Sequence, residues 1–238
     1  MKRILAWWRH YRLSISDPPI LTLEGLFPLL LLSVLSLLAL TFHFIRIQFS
    51  EAVDFSLDWN LFLSWIPLLL SFIAQTISKR FGKLPVWIAI LSIVWLIFFP
   101  NAPYMITDLV HLSVDYGSNL TWHDVIMLFY YAQISLINGL VSLYWFHQTW
   151  NRTYSNSTGT VLLLASFPLG GFGVFLGRIQ RWNSWDILHN PQNLLPNIIE
   201  SAFNRTAILL SVEFGLLLGT LYLVLWGLLR FRIRDRFS

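Results

Sequence analysis

Apolar residues fall along this chain in long unbroken runs separated by short polar punctuation, not in the strict alternation of a half-buried strand. The first run covers 26–47, and others near the ~20 residues needed to cross a bilayer's hydrocarbon lie at 59–78, 84–105, 122–147, 159–178 and 203–229. Six membrane-spanning helices are therefore predicted, forming an all-α, polytopic membrane helix bundle. Short connections, with no internal repeat or low-complexity tract, predict one integral-membrane domain over 1–238. Residues 1–25 interleave Lys2, Arg3, Arg9 and Arg12 with Trp7, Trp8 and Tyr11, the pattern of an interfacial segment, and Ser16-Asp17-Pro18-Pro19 then supplies helix-start residues. A cleaved signal peptide is the competing reading. The run at 26–47 is too long for its apolar core and lacks a small-residue cleavage site, so it is read as a retained span.

Composition agrees with the pattern. The 238 residues are 56% hydrophobic and 12% charged, with a mean hydropathy of +0.62, against roughly 25% charged in a soluble domain. With no cysteine there is no disulfide, thiolate zinc site or thiol nucleophile. The net charge of +4 does not form a soluble basic patch, so no nucleic-acid partner is expected. Its placement speaks of orientation instead. The N-terminus, the 79–83 turn (Lys79, Arg80, Lys83), Arg152 and the basic tail 230–238 (Arg230, Arg232, Arg234, Arg236) alternate across the spans with Arg46, Arg178, Arg181 and Arg205. The first set holds most of the cations, which predicts both termini in the cytoplasm.

Three stretches carry candidate chemistry, all toward the opposite, extracytoplasmic face. Gly171-Phe-Gly-Val-Phe-Leu-Gly-Arg-Ile-Gln-Arg-Trp-Asn-Ser-Trp-Asp186 begins as a membrane helix and ends polar. Gly170, Gly173 and Gly177 share a stripe that permits close helix approach. If the helix continues, Arg178, Arg181, Trp182 and Trp185 share one face and, with Asn183 and Asp186, form a candidate site for an anionic lipid.

In Phe98-Phe-Pro-Asn-Ala-Pro-Tyr104, Pro100 and Pro103 interrupt the third span within the membrane. Two readings are open: a proline kink packed between helices, or a break at which Asn101 and Tyr104 line a pocket. Beyond it, Asp108, His111 and Asp115 recur at helical spacing, and His123 and Asp124 follow. Such a row can bind a metal ion, set an Asp-oriented His as a general base, or serve as ion-pair partners for Arg178 or Arg181. Thr121-Trp-His-Asp124 also reads as a near capping box. Glu213, well inside the sixth span, is a third pocket candidate with Arg178 as its expected partner; a protonated, hydrogen-bonded Glu is the alternative. His43 and His147 read as helix-end residues, and the remaining Trp and Phe as packing or lipid-facing.

The stretches 99–112 and 171–186 closely resemble the signature segments of a bacterial membrane-protein family catalogued as domain of unknown function 1361. The resemblance extends from the second helix to the sixth and implies a multi-pass membrane protein, without an activity or a catalytic residue. Neither a cofactor nor an oligomeric state is readable from the residues, and no Walker loop or dinucleotide fingerprint is present. Beyond the lipid bilayer itself, the expectation is an extracytoplasmic cluster that binds or processes an anionic lipid or envelope precursor. The alternatives are a small transporter using Glu213, and a structural subunit.

Overall fold

The computed structural model describes residues 23–48, 56–110 and 122–235, with side chains for 26–48, 56–110 and 122–229. The N-terminal interfacial segment, His111, Asp115 and Thr121 lie outside the described residues, as do the side chains of the basic tail. Among the described residues nine α-helices follow one another: α1 (Leu23–Ile47), α2 (Ser56–Phe81), α3 (Pro85–Phe98), α4 (Asn101–Tyr104), α5 (Trp122–Thr153), α6 (Asn156–Arg178), α7 (Asp186–His189), α8 (Pro191–Ser201) and α9 (Arg205–Asp235), with a 3-10 turn over Met105–Val110 after α4. Six segments are long and apolar enough to cross a membrane: Leu26–Ile47, Ser56–Phe81, Pro85–Val110, Trp122–Thr153, Asn156–Arg178 and Arg205–Leu229. The protein is an all-helical, multi-pass membrane protein.

Local sequence sets the helix ends. Gly82, at φ 78°, turns the chain out of α2, and Pro85 opens α3 at a position where its missing N–H costs nothing. Ser155 caps α6 by accepting from the Thr158 N–H at 3.1 Å. With 32 residues, α5 is about 48 Å long at ~1.5 Å per residue, so its polar ends project beyond a roughly 30 Å hydrocarbon layer.

The six spans place the α1–α2, 3-10–α5 and α6–α9 connections at one end of the bundle, the Arg178 end. The α2–α3 and α5–α6 connections lie at the other, the Lys79 end. Lipid gives no hydrophobic reward for helix association, so close packing and interhelical hydrogen bonds must hold the bundle. Trp95 stacks on Phe99 at 4.5 Å, and both meet Phe146 and Trp150 in the main core cluster. Indole N–H groups are paired within it: Trp95 donates to Ser142 at 3.2 Å and Trp150 to Ser92 at 2.8 Å. Asn138 donates to Ser64 at 2.9 Å, tying α5 to α2. At the Lys79 end, Gln75 bonds Gln148, and His147 Nδ1 meets the Tyr222 hydroxyl at 2.6 Å, so His147 links α5 to α9.

The glycine stripe of α6 receives the proline-bent third span. A Cβ at Gly173 would overlap the Pro100 ring, one at Gly170 would lie 2.8 Å from Phe99, and one at Gly177 3.3 Å from Tyr104. Close approach is therefore used, and the element that approaches is the kink.

Candidate functional site

The kink is the scaffold of the site. Pro100 and Pro103 bring no N–H to the helical ladder, yet the backbone stays in the right-handed helical region through Phe99, Pro100 and Met105. The span continues past the prolines without unwinding, and Asn101 and Tyr104 also line the cavity described below. In the turn the prolines disturb, the Phe98 carbonyl accepts from the Asn101 amide at 2.9 Å, and the Ile97 carbonyl accepts from the Ser184 hydroxyl at 2.9 Å. Asn101 Nδ2 also donates to Ser184 Oγ at 3.0 Å. Side chains thus serve carbonyls of the disturbed turn, and Ser184 clips the 179–185 segment onto the bend.

The predicted continuous face of Arg178, Arg181, Trp182 and Trp185 is not formed. Helix α6 ends at Arg178, Arg181 takes a left-handed backbone at φ 61°, and the Trp182 N–H folds back to the Leu176 carbonyl at 3.0 Å. The turn aims the tryptophans back over the bundle and separates the two arginines. Arg181 is exposed and makes no ion pair among the described residues. Arg178 instead lies against the bend: it donates to Asp108 at 2.8 Å and to the Thr107 carbonyl at 3.1 Å, with its guanidinium 5.7 Å from the Tyr104 ring centre. Asn60 donates to the other Asp108 oxygen at 3.1 Å. Of the open readings for Asp108, the geometry found is an ion pair with Arg178, buried on the carboxylate side at 3% exposure.

Two further expectations are corrected. Glu213 neither meets Arg178 nor lines a cavity; it is exposed on the outer surface of α9, between exposed Val212 and Leu216, and has no hydrogen-bond partner among the described residues. The rotation of α9 that places Phe214 and Leu218 against the bundle turns Glu213 away. Asp124 acts as an interhelical partner: both its oxygens take Arg46, at 2.6 and 2.9 Å, joining α5 to α1. His123 beside it is exposed. His43 lies near the end of α1, as a helix-end residue would, and is buried there. It is 2% exposed, and its Nδ1 lies 2.9 Å from Asp58, which also accepts from the Tyr131 hydroxyl at 2.6 Å. Among the described residues no three His, Asp or Glu side chains gather as a metal site would require, and the Asp108 partners that the metal reading named, His111 and Asp115, lie outside them.

Between the bend, the start of α2, α6 and the 182–198 segment lies a cavity of about 360 Å³, within the roughly 300–1,000 Å³ range of small-molecule sites. Its deep wall is apolar: Leu96 from α3 faces Leu169, Phe172 and Leu176, which follow one side of α6 over about 10 Å. Toward the Arg178 end the lining gains polar and aromatic groups, with Asn60, Asn101, Asn183 and Ser184 beside Trp59, Tyr104, Trp182 and Trp185, among the apolar Ile187, Leu194 and Ile198. Trp59 and Trp185 meet edge to face at 6.1 Å, and Trp182 donates to Asn197 at 3.0 Å. Asp186 stays outside the wall, accepting from the Asn183 N–H at 2.7 Å and so closing the turn. Among the described residues no charged side chain lines the cavity.

The cavity thus takes Asn101, Tyr104, Trp182, Asn183 and Trp185 of the sequence candidates, and leaves out Arg178, Arg181, Asp186 and Glu213. Trp59, Asn60 and Ser184 were missed. Asn60 and Asp58 flank Trp59 at the start of a span, where polar residues of the first turn pass for solvated ends, and Ser184 carries no signal before its carbonyl partner is known. No curated protein and no solved structure matches the chain. Residues 59–221, which contain the bend, the glycine stripe, the turn at Arg181 and the whole cavity wall, match the family described as "Protein of unknown function (DUF1361)", and the chain belongs to that family.

Proposed function

We propose that the protein binds a membrane amphiphile, with the headgroup in the cavity at the Arg178 end and the hydrocarbon chain against the apolar wall of α6. The observation that carries this reading is the gradient within one cavity, from Leu169 and Phe172 in the bundle to Asn60, Asn183 and the tryptophans at its end. Tryptophan is the side chain that settles at a membrane–water boundary, so the polar part of the cavity belongs at headgroup level. The excess of Lys and Arg in the segments on the Lys79 side supports an extracytoplasmic Arg178 end, and with it cytoplasmic termini in a bacterial inner membrane.

The anionic-lipid expectation narrows under this reading. Arg178 is committed to Asp108, Thr107 and Tyr104, and Arg181, next to the cavity residue Trp182, lies outside the cavity wall. Glu213 is exposed on α9 and does not line this cavity, so the transporter alternative draws no support from it.

Native mass spectrometry of the protein extracted into detergent tests the proposal. Wild type should retain one amphiphile that Leu176→Trp, which fills the cavity from its wall, does not. A bare wild type, or equal retention by Leu176→Trp, would refute it.

A further inference from the structure

Resting on that reading, we infer that the headgroup is an uncharged sugar. The lining excludes the alternative of a phosphate in the cavity on two counts. Among the described residues no cation lines it, and a phosphate without one would be buried against a wall that cannot balance its charge. The hydrogen-bond inventory points the same way. Trp182 Nε1 is spent on Asn197, the Ser184 hydroxyl on the Ile97 carbonyl, and both hydrogens of the Asn101 amide on Phe98 and Ser184. The rest of the wall is open in both senses: among the described residues nothing donates to Asn60 Oδ1 or Asn101 Oδ1, and Trp59 Nε1, Trp185 Nε1 and the Tyr104 hydroxyl donate to nothing. Hydroxyl groups, which donate and accept, answer such a mixed wall, whereas a phosphate diester brings only acceptors.

The aromatic part adds shape. Trp59 is 51% exposed and stands edge to face with Trp185, leaving flat apolar indole surface beside the amide acceptors. A pyranose ring has this pair of properties in one molecule, with C–H faces that stack on an indole and equatorial hydroxyls around its edge. The approximately 360 Å³ available also contains the apolar stretch along α6, so the ligand class is a glycolipid with a small sugar headgroup.

The test uses the full chain in a sugar-free amine-oxide detergent, mixed with equimolar monoglucosyl-diacylglycerol, phosphatidic acid and diacylglycerol of the same acyl chains. Retained lipid is counted by native mass spectrometry. Wild type should keep the glucosyl lipid about tenfold over either competitor. Trp59→Ala and Trp185→Ala should lose most of that preference, and Trp185→Phe, which keeps an aromatic face, should retain much of it. Melting curves establish that the variants are folded. Phosphatidic acid or diacylglycerol held as well as the glucosyl lipid would overturn the sugar assignment and leave the amphiphile cavity standing. No lipid of any kind retained by wild type would overturn both. A wild-type preference untouched in folded Trp59→Ala and Trp185→Ala would overturn the placement of the sugar against these rings.

Discussion

Asp108 and Glu213 are acidic residues within membrane spans, and they meet opposite surroundings. Asp108 is 3% exposed and is held by Arg178 and Asn60, whereas Glu213 faces outward with no hydrogen-bond partner among the described residues. Removing one charge from a buried pair leaves the other uncompensated, so Asp108→Asn should lower stability by roughly 3 kcal/mol. Glu213→Leu replaces a polar group on a surface that faces lipid, and should leave stability unchanged or raise it. Thermal melts of both variants in the same detergent check the contrast; an unchanged Asp108→Asn melt, or a lowered Glu213→Leu melt, would contradict it. The spacing of residues in the sequence admits an Asp108–Arg178 pair but cannot choose it over a metal or a general base. Which face of α9 carries Glu213 depends on where α6 packs, and no local pattern contains that.

Among the elements, the bend at Pro100 and the end of α6 are each shaped by the other. The bend needs a groove, and Gly173 supplies it. It also presents carbonyls, and Asn101 and Ser184 answer them. Gly173→Ala would set a methyl group into the Pro100 ring, between two backbones with no slack, and should destabilise by about 1–3 kcal/mol. The measurement is the melting temperature beside Gly227→Ala, where an added Cβ meets nothing within 4 Å. Equal melts for the two would mean that the groove is not tight. The glycine stripe and the prolines are plain in the sequence, each as half of a contact. Their meeting is a property of two helices packed together. The turn at Arg181 is less legible still, since a non-glycine residue at φ 61° is uncommon and nothing in Arg-Ile-Gln-Arg announces a stop.

For the whole molecule, the polar ties gather at the ends of the bundle and the aromatic core lies between them. At the Arg178 end, Arg46–Asp124 joins α1 to α5, and Asp58 links α1, α2 and α5 through His43 and Tyr131. With that end outside, a single cysteine at the exposed His189 should react with an impermeant maleimide in intact cells, and one at the exposed Ser157 should not. Labelling at Ser157 alone would reverse the orientation. The absence of native cysteine makes the background clean. Number, type and length of the spans were determined by the sequence itself, because crossing a hydrocarbon layer requires about 20 apolar residues in a row and closes every backbone hydrogen bond within one helix. So was the place of the bend, which proline dictates through the N–H it lacks. The composition of the cavity was decided only by tertiary structure. Helix rotation brought Trp59 and Asn60 in from α2 and turned Glu213 out, and the left-handed step at Arg181 folded Trp182 and Trp185 back over the bend. Rotation and turn follow from packing between residues tens of positions apart, a range that no local periodicity reaches.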